Sequence, residues 1–163
     1  MAANSFAFLP RGALIQEFKV NGINIVLGYK DEEPYKHAPF FGETIGRVAN
    51  RIKDGKMNVN GREYQLELNN GPNSLHGGPE GWGRQSFKGP TSVSKDGKES
   101  MKFSYVSPDG DEGFPGTVEL RVLYTATDEE ENGIKKVVLT AEYEVEMTGS
   151  ECDETPVMVT NHR

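Results

Sequence analysis

The chain has 163 residues, enough for one globular domain with a core of its own. Its 25 acidic and 18 basic residues leave a formal net charge of −7, a surface that repels phosphate backbones and anionic lipid head groups and argues against nucleic acid or a membrane as partner. No apolar run is long enough to cross a bilayer as a helix, the first residues lack the basic start and apolar stretch of a signal peptide, and Cys152 has no cysteine to pair with. The expectation is a cytoplasmic protein held together by packing, with no disulfide and no metal site.

Helical periodicity is nearly absent, and 19 glycines and 9 prolines punctuate short apolar stretches, so the fold class is all-β. Residues 13–20 and 23–29 are strand-like runs joined by Asn21-Gly22, a hairpin signal because both residues tolerate positive φ. Residues 40–51 read equally as an extended strand or a short turn of helix. A second hairpin is expected from 56–59 and 62–68 across Asn60-Gly61, with Tyr64, Leu66 and Leu68 on one face. Further strands are predicted over 101–106, 116–126 and 136–146; the last two alternate apolar with charged residues, giving one buried and one wetted face. Residues 94–98 and the acidic run 128–133 read as solvated loops, the second without the ligand spacing of a calcium loop.

Four segments carry more polar, conformationally specialised residues than a plain sandwich needs. In Phe41-Gly42-Glu43-Thr44-Ile45-Gly46-Arg47-Val48-Ala49-Asn50-Arg51-Ile52, a framework of mostly small or apolar residues carries two arginines and an asparagine. Arginine offers a planar fork of donors and asparagine a donor and an acceptor, which suits vicinal hydroxyls or carboxylates. Arg47 is read equally as a structural ion-pair partner, whereas Arg51, beside Asn50, points to binding. Asn73-Ser74-Leu75-His76-Gly77-Gly78 places two glycines after a histidine, where backbone can approach a ligand closely. Ser107-Pro108-Asp109-Gly110-Asp111-Glu112-Gly113-Phe114-Pro115-Gly116 is a shaped loop whose carboxylates read as solvated or capping groups. Pro156 to Arg163 is a strand-like run that ends on Asn161-His162-Arg163, and a histidine can move a proton near neutral pH.

In this order the four segments resemble the aldose 1-epimerase, or galactose mutarotase, family, and the likeness runs from about Leu9 to His162. The resemblance implies an antiparallel β-sandwich, of which residues 1–163 form the N-terminal part, and an activity that interconverts the α and β anomers of free hexoses without cofactor or metal. By motif match, His162 looks like the general acid that protonates the ring oxygen and His76 like the histidine that holds the sugar beside it. Asn50 and Arg51 match the substrate-binding pair, with Arg47 and Asn161 in supporting positions. Trp82 could offer sugars a flat face but, as the only tryptophan, reads as core; His37 matches none of the family's functional histidines and reads as a surface residue.

The family's catalytic base is a glutamate, and it and a sugar-binding aspartate belong to the C-terminal half of a considerably longer chain. Neither Glu43 nor Glu112 stands at a matching position, and Arg163 occupies a site where the family usually has a small hydroxyl residue. The resemblance therefore implies that a C-terminal segment or second chain completes the fold and the site. Two other readings are a sugar-binding sandwich without proton transfer, and a domain accompanying a sugar-nucleotide epimerase, although no Rossmann glycine fingerprint occurs here.

Overall fold

The computed structural model describes residues 4–37 and 40–162; Arg163 and the first three residues lie outside the described residues. Thirteen strands occur among them: β1 (Ser5–Leu9), β2 (Leu14–Val20), β3 (Ile23–Asn24), β4 (Thr44–Ile45), β5 (Ile52–Lys53), β6 (Lys56–Val59), β7 (Arg62–Gln65), β8 (Asn73–Ser74), β9 (Lys88–Lys95), β10 (Lys98–Ser107), β11 (Val118–Glu131), β12 (Ile134–Met147) and β13 (Thr160–Asn161). The only helical pieces among them are three short 3-10 turns, none long and apolar enough to cross a membrane.

Two antiparallel sheets make the sandwich, one ordered β1-β2-β3 and the other β12-β11-β10-β9. Alternation puts Val118, Leu120, Val122 and Tyr124 of β11 on one buried face, where they meet Phe103, Ala13, Ile15, Trp82 and Phe87. Each large apolar side chain of this kind contributes about 1.5–3 kcal/mol on leaving water. The sheets are also tied directly: Phe8 stacks on Tyr124 with centroids 4.7 Å apart, and the Tyr124 hydroxyl donates to the Ala13 carbonyl at 2.9 Å.

The tight hairpins share one turn chemistry. Asn21-Gly22, Asn60-Gly61, Asp96-Gly97 and Asn132-Gly133 all have positive φ at both residues, which matches the twist of the flanking strands. This corrects two expected loops. Residues 94–98 are a two-residue turn with strands running to Lys95 and from Lys98, and the acidic run 128–131 is the end of β11. Its charges are tolerated in the ladder because Glu130 faces Lys135 and Glu129 faces Lys136 across the strand pair, while Lys136 also pairs with Glu131.

Other expectations are also revised. Strands β1 and β9 have no counterpart among the predicted elements, and β3 ends at Asn24, so residues 25–29 continue outside any strand. The chain leaves the second hairpin at Leu66, whose N–H bonds the Gly55 carbonyl; Leu66 is therefore buried and Leu68 exposed, not on one face. Residues 40–51 are neither helix nor long strand, but a ribbon that pairs for two residues as β4.

Candidate active site

That ribbon organises the site, because it is hydrogen-bonded along both edges. On one edge β13 pairs with β4, setting Thr160 opposite Ile45 and Asn161 opposite Thr44. Beyond the pairing, His162 N–H donates to the Glu43 carbonyl at 2.9 Å and Gly42 N–H to the His162 carbonyl at 2.7 Å. Asn161 adds a side-chain bond from Nδ2 to the Gly42 carbonyl at 2.8 Å. On the other edge, His76 N–H donates to the Ala49 carbonyl at 3.2 Å and Trp82 N–H to the Gly46 carbonyl at 3.0 Å.

The two histidines, far apart in sequence, thus meet over one ribbon. Their ring centroids are 5.2 Å apart and the planes nearly perpendicular, at 89°. Phe40 closes the cluster, 4.8 Å from the His76 ring and 5.7 Å from that of His162. No sequence pattern marks Phe40 out from its neighbour Phe41.

Hydrogen bonding makes the imidazoles unlike each other. His76 Nδ1 lies 2.5 Å from the Ala49 carbonyl, an acceptor only, so Nδ1 carries the proton and Nε2 keeps its lone pair. Burial lowers the His76 pKa; the Ala49 carbonyl opposes this, while the charges of His162 and Arg51 add to it. His162 Nδ1, by contrast, is buried with no hydrogen-bond partner among the described residues. A proton there would be an unsatisfied buried donor costing about 1–3 kcal/mol, and a bare lone pair is tolerated more readily. The neutral ring therefore carries its proton on Nε2, so one imidazole offers a ligand an acceptor and its neighbour a donor.

Asn50 and Arg51 follow directly on the ribbon. The Asn50 side-chain oxygen accepts from Arg51 N–H at 2.7 Å, and Arg51 Nε donates to Asn70 Oδ1 at 2.9 Å. Both residues are exposed, and neither terminal nitrogen of Arg51 is engaged by a described residue. The guanidinium fork is thus oriented at its base and open at its tip.

Arg47 points the other way. It is 1% exposed and donates from Nη1 to the carbonyls of Pro115 (2.7 Å) and Gly116 (2.8 Å) and to Thr155 Oγ1 (3.1 Å), and from Nη2 to Ser107 Oγ (2.6 Å). Its anchoring partners are carbonyls and hydroxyls rather than the carboxylate of an ion pair. Burial lowers its pKa, with Asp111 the main opposing charge. The shaped loop 107–116 is thereby fastened beneath the ribbon.

The same loop explains the two glycines after His76. A Cβ on Gly77 would lie 1.8 Å from the Gly46 carbonyl oxygen, and one on Gly78 would lie 2.0 Å from Glu112 Oε2. The closeness they permit is to the protein's own ribbon and loop. Glu112 also accepts from Glu80 N–H at 3.2 Å, so its carboxylate braces the His76 turn and is not simply solvated. Trp82 is buried against Gly46, and His37 is exposed beside Glu33.

A family model described as aldose 1-epimerase matches residues 2–163. The bifunctional protein GAL10 of Pachysolen tannophilus is 42% identical over 157 residues, covering 93% of this chain and 22% of that protein. The galactose mutarotase of Bos taurus is 40% identical over 140 residues, covering 85% of this chain and 36% of that protein. Among solved structures, a galactose 1-epimerase from Lactobacillus acidophilus superposes with a TM-score of 0.68 at 27% identity, over 76% of this chain and 37% of that one. The chain thus spans 36% or less of the length of the two named relatives.

Proposed function

The chain belongs to the aldose 1-epimerase family, and we propose that it carries the acid side of a site that interconverts the α and β anomers of free hexoses such as glucose and galactose. The observation that carries this reading is the donor–acceptor pair of imidazoles, His162 and His76, held 5.2 Å apart. Anomer exchange needs a proton taken from the anomeric hydroxyl and another given to the ring oxygen. The bond between C1 and the ring oxygen then breaks, C1 becomes an aldehyde, and rotation about C1–C2 presents its other face. Reclosure returns both protons.

In this scheme His162 acts as the imidazolium, giving its Nε2 proton to the ring oxygen, becoming neutral and taking the proton back on reclosure, and His76 Nε2 accepts from a neighbouring hydroxyl, holding the ring against the acid. Arg51 and Asn50 supply donors to further hydroxyls, and Asn161 and Arg47 keep His162 and the ribbon in register. The base lies outside this set. Glu43 is 1% exposed and turned toward Arg11, and Glu112 is committed to Gly78 and Glu80.

A further segment, C-terminal to this one or on a second chain, would bring the base. The surface accords with such a completion: Ile23, Ile25 and Leu27 alternate along the outer edge of the β1-β2-β3 sheet and are 70%, 59% and 66% exposed.

Polarimetry of freshly dissolved α-glucose and α-galactose with the whole protein tests the proposal. Equilibration faster than in buffer, and lost in His162→Ala with the fold retained, is the expected result. A rate equal to that of buffer would overturn it, and sugar binding without acceleration would leave a carbohydrate-binding module. Full activity in His162→Ala would move the acid elsewhere.

A further inference from the structure

Glu43 stands out as a buried carboxylate that the proposed chemistry does not use. It is 1% exposed, and Arg11 Nε donates to its Oε1 at 3.3 Å from the β1–β2 turn. Space for it is made by two glycines: a Cβ on Gly83 would lie 2.6 Å from Glu43 Oε2, and one on Gly12 would lie 3.1 Å from Glu43 Cβ. Arg11 is held in turn, with Nη1 donating to the Arg84 carbonyl at 3.4 Å. Backbone bonds knit the same three segments together, Thr44 N–H to the Gly12 carbonyl (2.8 Å), Gly12 N–H to the Gln85 carbonyl (2.8 Å) and Ile15 N–H to the Gly42 carbonyl (3.0 Å).

The opposite side of this knot holds His162. The Glu43 carbonyl accepts from His162 N–H, and Gly42 N–H returns the bond to the His162 carbonyl. The His162 ring has no fixing bond at Nδ1 among the described residues, so its place is set by those backbone pairs and by contact with Phe40 and His76. A buried ion pair gives little net stability, because desolvation offsets the attraction, yet it fixes geometry well.

We propose that the Arg11–Glu43 pair is the positioning device for His162, seating the β4–β13 ribbon so that the imidazole Nε2 meets the substrate. The proposal rests on the assignment of His162 as the acid. Glu43 touches no substrate; it acts through the backbone it anchors. Its seat depends on shape and hydrogen bonding to Arg11, which an amide reproduces and a methyl group does not.

The test compares Glu43→Ala, Glu43→Gln and Arg11→Ala in the whole protein by mutarotation kinetics and by the 1H–15N resonances of the His162 and His76 imidazoles. Misplacing an acid by an ångström or less is expected to lower kcat about tenfold in E43A and R11A while KM stays within about twofold. E43Q is expected to restore kcat to within about twofold of the wild type, and the His162 resonances should move in E43A and R11A but not in E43Q. Unchanged kcat and unmoved His162 resonances, measured well below the melting temperature, would overturn the proposal. Should E43A fail to fold, R11A carries the same two readouts. Should the wild type itself not accelerate mutarotation, the functional assignment falls, and the imidazole resonances still decide whether Arg11–Glu43 places His162.

Discussion

The clearest quantitative consequence concerns Glu43 and the pH dependence of stability. Burial raises its carboxyl pKa from 4.5 to about 7, against the opposing charge and hydrogen bond of Arg11 and the weaker opposing charge of Arg84. A raised carboxyl pKa means that the folded protein holds this proton more tightly than the unfolded chain does. The contribution to stability is therefore fully present below pH 4.5, declines as the pH rises toward 7, and is flat beyond it. The displacement from 4.5 to about 7 corresponds to about 3 kcal/mol. The amide of the Glu43→Gln variant has no such proton to lose, so that variant is expected to gain about 3 kcal/mol on the wild type between pH 4.5 and about pH 8. For a domain of this size the gain amounts to a relative rise of roughly 6–12 °C in melting temperature. Thermal unfolding of both proteins at half-unit pH intervals isolates the effect, because all other groups titrate alike in the two. Stability curves that stay parallel across that pH range would refute the buried-carboxylate account.

Two further outcomes follow from the site. Arg47→Met keeps the bulk of the stem but strands the Pro115 and Gly116 carbonyls and leaves the Ser107 hydroxyl only its bond to Asp111; a loss of about 3 kcal/mol or more is expected in urea unfolding, and a loss under about 1 kcal/mol would show that water replaces the guanidinium. The His76 pKa is lowered, so the stability gained from its neutral ring is fully present above pH 6.5 and lost as the pH falls through the lowered folded value. An NMR titration in which His76 protonates at or above 6.5 would show that burial does not outweigh the Ala49 hydrogen bond, and would refute this account.

How much of this was legible in the sequence depends on the range of the interaction that fixes each feature. Hairpins are local, and Asn21-Gly22 and Asn60-Gly61 announced theirs because two adjacent residues that accept positive φ suffice. The same chemistry at Asn132-Gly133 was hidden by the acidic residues before it, whose cost in a strand is offset only by Lys135 and Lys136 across the ladder. Strand β9, Lys88–Lys95, is mostly polar and exposed, so its apolar pattern is too weak to read. At the site, motif order brought His76 and His162 to notice, but not why they differ. That depends on the Ala49 carbonyl 27 residues from His76, and on the interior that leaves His162 Nδ1 unmatched.

The glycines after His76 show how the arrangement is held rigid. Gly77 lets the His76 turn press on the Gly46 carbonyl, Gly78 lets it press on Glu112, and Glu112 belongs to the loop that Arg47 fastens from below. Arg47 itself lies one residue past Gly46 in the ribbon, so the path from His76 through Glu112 to Arg47 closes back on the strand that pairs with the segment ending in His162. A lesion anywhere on this circuit should therefore alter the spacing of the two imidazoles before it alters either one's exposure. Ring-to-ring nuclear Overhauser contacts between His76 and His162 would register that change directly, and an Arg47→Met variant that kept those contacts at wild-type intensity would show that the circuit does not hold the two rings.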